Sequence, residues 1–307
     1  MMQRRDFLAA AGLAALTAAF PLHRSFGQEG SSLGATRNGT KKAKILYFSR
    51  SQGFEHDPVK LVNGGPSVSD TAFAKWGAKN NMDFVCTKDG TVFDGDLDQF
   101  DGFAFYTSGD LLAANATDGS KPMSEDGMKR FLKAVEDGKG FVGYHAATDS
   151  MKSQGEAFEN QTQVHPYIRM IGGEFIRHDA QQTAPMVITQ PVDLPWLKDK
   201  GEAFDLWDEW YALKNFNKDI HVILIQETKD MDGPSYNRPA FPATWAQQYG
   251  KGRSAYTSIG HLNSIWEDDN YAQFFGELIE WSVGRFDMDV TPNMDKVTPE
   301  ASILQRN

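Results

Sequence analysis

Four histidines stand at points where the chain leaves a regular segment: His56, His145, His178 and His261. A neutral imidazole can ligate a divalent metal through one ring nitrogen while a carboxylate bonded to the other nitrogen orients the ring. It can also move a proton near neutral pH. No His-x-His or His-x-x-x-His spacing occurs, so a Zn-type site would have to assemble from separate loops. The central one, His145, ends the run Gly140-Phe141-Val142-Gly143-Tyr144-His145-Ala146-Ala147. That pattern reads as a buried strand closing in a tight turn. Enzymes built on such an elbow carry a Ser or Cys nucleophile at this place, and here the residue is a histidine.

Carboxylates are within the same vocabulary. Asp208-Glu209-Trp210-Tyr211 sets two acids among aromatics, and Trp207, Trp210 and Tyr211 could stack on the apolar face of a sugar while Glu209 bonds its hydroxyls. The same run also reads as a half-buried strand with solvated acids. Asp149, four residues after His145, is either an orienting partner or a helix cap.

The elements that must position these residues alternate. Residues 44–49, 84–86, 101–107 and 140–144 read as strands, and residues 68–80 as a helix. A second helix follows Ser124, with Met128, Phe131, Leu132 and Val135 on one face and Gly138 to stop it. Short strand–helix–strand connections of this kind predict a parallel sheet with helices on both faces. Segments 185–189, 221–225, 243–246 and 253–259 read as further strands, and 271–283 as a last helix. In a parallel sheet the loops bearing His56, His145 and His261 open on one carboxyl edge, where open α/β sheets bind ligands. Each histidine could instead merely cap a strand and bond a backbone carbonyl. His165, before Pro166 at a helix start, and His221, opening a strand, have such structural explanations.

The 307 residues carry a formal charge of −10 with no basic stripe, which argues against nucleic acid and anionic membrane surfaces. The single cysteine, Cys86, excludes an intrachain disulfide and reads as a buried, inert thiol in a strand. Arg4-Arg5-Asp6-Phe7-Leu8 precedes a short run of small apolar residues, so residues 1–27 read as a cleavable twin-arginine signal and the protein as exported to the periplasm. Residues 28–42 form a linker, 43–286 the folded domain and 287–307 a polar tail. No other stretch is long enough to span a membrane. The oligomeric state is left open.

Gly53-Phe54-Glu55-His56-Asp57, Gly138 through Asp149, Gly172-Gly173 with His178, Asp208-Glu209-Trp210-Tyr211, and Tyr249-Gly250-Lys251-Gly252-Arg253 through Gly260-His261 together resemble the trehalose-utilisation (ThuA-like) family. The resemblance implies a class I glutamine-amidotransferase-like fold, a flavodoxin-like three-layer α/β/α sandwich with a mostly parallel sheet. In true amidotransferases the elbow holds a catalytic Cys and a later His serves as its base. His145 and His261 occupy those two places here, so thiol chemistry is replaced. The family's association is with disaccharides and keto-sugars. The reading is therefore an exported carbohydrate-active protein that acts on a glycoside, disaccharide or keto-sugar. His145 and His261 would be catalytic, and His56, His145, His178 and His261 would be ligands of a divalent metal such as Zn. Glu209, Trp210, Tyr211 and Asp149 would contact the sugar. A non-catalytic sugar-binding module and a cysteine-free amidase are the alternatives.

Overall fold

The computed structural model describes residues 41–191 and 193–305. The signal segment and most of the linker lie outside the described residues. The first half of the domain follows the alternation read above: β1 (Ala43–Phe48), α1 (Val68–Lys79), β2 (Met82–Thr87), β3 (Gly102–Phe105), α2 (Glu125–Glu136) and β4 (Gly140–Tyr144). Local chemistry sets the helix starts. Ser67 and Asp70 form a reciprocal capping box on α1. The Ser124 side chain accepts the Gly127 N–H on α2, whose Phe131 and Val135 are fully buried.

The second half contributes α3 (Pro166–Ile171), β5 (Glu174–His178), β6 (Gln182–Ile188), β7 (Ala203–Asp208), β8 (Tyr211–Lys214), β9 (His221–Gln226), β10 (Phe241–Tyr249), β11 (Gly252–Thr257), α4 (Asn263–Glu267), α5 (Asp269–Ser282) and α6 (Met294–Val297). Nine strands form one mixed sheet in the order β2-β1-β3-β4-β11-β10-β9-β6-β7, while β5 and β8 pair separately. The five strands β2, β1, β3, β4 and β11 are mutually parallel. The expectation of a mostly parallel sheet holds for this core only, because β10, β9, β6 and β7 each run antiparallel to the strand before. The reversal begins at the two-residue Gly250-Lys251 connection, where Gly250 takes φ +60°. A connection that short can only return the chain antiparallel.

Side chains of β4 alternate between two helical partners. Phe141 meets Phe131 of α2 and Tyr167 of α3, whereas Tyr144 meets Phe275 of α5 and donates to its carbonyl. Bare backbone is needed where α5 presses closest, since a Cβ on Gly140 would lie 2.6 Å from Ser282 Oγ. The sheet edge beyond β4 is thus held from both sides.

The structure corrects one reading of the sequence and extends two others. Cys86 is exposed on the edge strand β2, not buried; the protein around the sulfur and the Asp70 carboxylate still push its thiol well up, so it stays protonated. The tail is not merely polar surface: Met294 and Ala301 are buried, Asn293 bonds both backbone groups of Val222, and buried Arg238 donates to the Ala301 carbonyl. The strands β5, β7 and β8 add a region that the sequence reading left as motifs. Among the described residues no helix is long and apolar enough to cross a membrane.

At the end of β4 the backbone turns sharply. His145 takes φ +39° and opens a 3-10 turn, His145–Asp149. A non-glycine residue in this region costs about 1–3 kcal/mol, a cost the packing of β4 sustains. His145→Gly is therefore expected to be more stable than His145→Ala by about 1 kcal/mol, because only glycine relieves the strain. Urea unfolding of the two variants checks this, and a more stable alanine variant would contradict a strained elbow. Cys86→Ala is expected to unfold at close to the same urea concentration as the parent, since this exposed edge-strand residue lies outside the hydrophobic core.

Candidate functional site

The parallel core delivers three histidines to one edge. His56 comes from the loop after β1, His145 from the elbow after β4, and His261 from the turn after β11. The edges of their rings meet: centroids lie 5.0 Å apart for His56 and His145, 5.3 Å for His56 and His261, and 5.3 Å for His145 and His261. The fourth member arrives from the antiparallel half. The β6–β7 ribbon pairs with β9 only over Met186–Ile188, and the free end of that ribbon brings Asp208 to the turn after β11. Asp208 Oδ2 accepts the Gly260 N–H at 2.8 Å, which sets the next residue, Glu209, among the histidines.

His56, His145, Glu209 and His261 each offer a ligand atom, and all four atoms lie within 4.8 Å of one another. His56, His145 and Glu209 are buried, and His261 is partly exposed. Glu209 Oε2 sits 3.5 Å from His145 Nε2 and 3.1 Å from His261 Nδ1. Despite the proximity, both ring nitrogens are buried without a hydrogen bond of acceptable geometry.

The tautomer of His145 follows from its other nitrogen. Nδ1 lies 2.8 Å from the Ser258 carbonyl, which can only accept, so Nδ1 carries the hydrogen. In the neutral ring Nε2 then holds a bare lone pair aimed at a carboxylate. Two acceptors facing each other in a buried site need a cation between them, either a proton or a metal. An Nδ1–H bonded to a backbone carbonyl is also how metal-ligating histidines are commonly oriented. The donor set, three imidazoles and one carboxylate, suits a borderline ion such as zinc.

Electrostatics bind the group into one unit. Burial pushes His56 well below the usual histidine range, and the neighbouring His145 and His261 push in the same direction. Burial also lowers His261, but the Glu209 contact and charge outweigh it and raise the ring overall. Burial alone would raise Glu209; the contacts and charges of His145 and His261 dominate and hold it well below the usual carboxylate range. Asp208 is raised, chiefly by burial.

The remaining expected residues take other places. His178 stands at the rim, with its side chain 43% exposed and Nδ1 3.3 Å from Glu209 Oε1 and 3.0 Å from the Asp179 carbonyl; it is outside the tight quartet. Tyr211 is buried with its ring against His145, centroids 4.2 Å apart, and its hydroxyl 3.1 Å from His56 Nε2. Trp210 is fully buried and donates its indole N–H to the Gln182 carbonyl. Neither ring offers a free face for a sugar, so the expected stacking is corrected: Tyr211 packs against the His145 ring, and Trp210 is buried with its indole N–H on the Gln182 carbonyl. Trp207 is exposed, on the other side of β7 from Asp208. Asp149 sits at the far end of the 3-10 turn and pairs with Lys152 at 2.8 Å. Sequence reasoning placed Glu209 on the substrate, whereas the fold groups it with the histidines. It missed the supporting parts played by Asp208, Ser258 and the Tyr211 hydroxyl. The signal for Asp208 was its position beside Glu209; Ser258 acts through its backbone and carries none.

The fold is similar to that of a ThuA-like protein from Bacteroides uniformis, with TM-score 0.57 and 18% identity over 82% of this chain and 95% of that one. A ThuA-like protein from Parabacteroides merdae gives TM-score 0.53 and 17% identity over 81% and 93%. No curated protein matches the chain in sequence. The family model described as ThuA, trehalose utilisation, matches residues 44–282. The chain belongs to the ThuA family.

Proposed function

We propose that the protein is a metal-assisted carbohydrate-active enzyme. His56, His145, His261 and Glu209 would hold a divalent cation such as Zn. The observation that carries this reading is the bare His145 Nε2, buried 3.5 Å from a carboxylate oxygen with no hydrogen-bond partner. The substrate class rests on family membership, with a glycoside, disaccharide or keto-sugar as the ligand. The helices that touch β4 from two sides support the three-layer sandwich of the amidotransferase-like class.

When bound, the cation supplies Lewis acidity to a sugar oxygen or to water. The protein's own groups do the rest. The Ser258 carbonyl and the strained elbow fix the His145 ring, and Asp208 fixes the turn that carries His261. If the quartet is committed to a metal, the half-exposed His178 is the ring placed to move a proton at the rim. Its Nδ1–H is engaged by the Asp179 carbonyl, leaving Nε2 as the acceptor. No thiol takes part, since Cys86 lies on the opposite edge strand, β2.

Protein purified without a His-tag is expected to contain about one equivalent of transition metal by elemental analysis, with turnover in a screen of glycosides and 3-keto-glycosides. His145→Ala and Glu209→Gln should lose metal and activity together, while His178→Ala should keep metal and lose turnover by about 10²–10⁴-fold. Full metal content and activity in His145→Ala would overturn the assignment, and sugar affinity without turnover would make the protein a binding module. Export by the twin-arginine route is part of the same proposal. Replacing Arg4 and Arg5 with Lys should leave precursor in the cytoplasm; normal periplasmic accumulation would sink that part.

A further inference from the structure

Beside the centre lies a cleft of about 690 Å³, the size of a small-molecule site. It begins where the elbow's 3-10 turn ends. His145 and Asp149 are the two ends of that turn, about 8 Å apart at a rise of about 2 Å per residue. A chain of packing contacts links cleft and centre. Lys152 lies over the Phe175 ring at 4.8 Å, Phe175 packs on Tyr211 at 4.1 Å, and Tyr211 packs on His145.

The lining is polar and mixed. Asp110, Asp149, Lys152, Gln154, Gln163 and His165 supply acceptors and donors. His165 Nδ1 accepts the Tyr167 N–H, which leaves Nε2–H as a donor, and burial lowers this histidine so that it stays neutral. Lys152 is the cleft's one ammonium and is already paired with Asp149 at 2.8 Å. The two carboxylates therefore outweigh the cation. An anionic ligand would meet uncompensated negative charge, and like charges facing one another across a contact disfavour binding. A neutral polyol meets carboxylates that accept from its hydroxyls and amides that do both.

The cleft is also held in shape before any ligand arrives. Buried Glu174 accepts the Ser153 N–H at 3.1 Å and the Asn215 amide at 2.9 Å, and stands 3.5 Å from Lys214 Nζ. The Ser153 hydroxyl accepts the His165 N–H at 3.0 Å. This buried network ties the segment between the elbow and α3 to the β5–β8 pair. Preorganisation of that kind lowers the entropy lost on binding.

We propose that this cleft seats a neutral saccharide of one or two rings, read by Asp149, Asp110, Lys152 and the Gln154 and Gln163 amides, and excludes sugar phosphates. The assignment rests on the carbohydrate reading above and sharpens it to unphosphorylated substrates. The test is calorimetric titration of the mature protein with glucose, maltose and trehalose, and with glucose 6-phosphate and trehalose 6-phosphate. Lys152→Met and Asp149→Asn are titrated beside the parent, with folding checked by circular dichroism and metal content measured on each. At least one neutral sugar should bind and weaken about tenfold or more in either variant, the worth of a hydrogen bond to a charged group. The phosphate esters should bind at least about tenfold more weakly than their parents. Metal content should not change. Failure of every neutral sugar to bind, binding indifferent to both variants, or tighter binding of a phosphate ester would overturn the cleft assignment. A metal-free parent that still binds sugar in a cleft-dependent way would instead contradict the metal centre and leave the cleft standing.

Discussion

A lone pair with nothing to bond organises this protein. Once the Ser258 carbonyl has taken the Nδ1–H, the His145 ring must present Nε2 to Glu209 inside protein that excludes water. A bare acceptor against a carboxylate is unfavourable in such a place, and much of the surrounding structure serves to keep it there. The φ of +39° at His145 aims the ring. Aromatic packing on both sides of β4 denies the backbone room to relax. The Asp208 bonds to the Gly260 and His261 N–H groups keep the last histidine in place. Strain and an unsatisfied acceptor at one residue are costs that folds sustain where a ligand repays them.

The topology explains how distant segments reach one point. Parallel strands put His56, His145 and His261 on a single carboxyl edge because every loop after such a strand opens the same way. Glu209 follows a different logic. It sits between β7 and β8, at the far end of the sheet order, and reaches the centre because the β6–β7 ribbon leaves β9 after three paired residues. The β5–β8 pair then lays His178 opposite Tyr211. This places a half-exposed imidazole at the rim of a buried quartet and a polar cleft joined to it through the packed Phe175 and Tyr211 rings.

Much of the parallel half was legible in the sequence because its signals are local. Ser124, the stripe through Met128, Phe131 and Val135, and Gly138 mark α2, and the run from Gly140 to Tyr144 marks β4 to the residue. The convergence of three histidines could be inferred from strand order alone. The antiparallel half was harder. β5 mixes Glu174, Arg177 and His178 into a strand that pairs outside the main sheet, so no alternation identifies it. The run from Asp208 to Tyr211 read either as aromatics stacking on a sugar or as a half-buried strand with solvated acids, yet its acids turn inward and Trp210 is buried, a consequence of a ribbon whose course depends on long-range packing. Cys86 misled for a related reason: its neighbours are apolar, but β2 is an edge strand.

X-ray absorption at the metal edge of the purified protein tests the central claim most directly. Three imidazole nitrogens and one carboxylate should give a first shell of low-Z scatterers at about 2.0–2.1 Å, with the multiple-scattering pattern of histidine rings and no sulfur. The histidine pattern should weaken in His145→Gly. Protein with no stoichiometric metal, or a first shell of oxygen scatterers without histidine, would contradict the account.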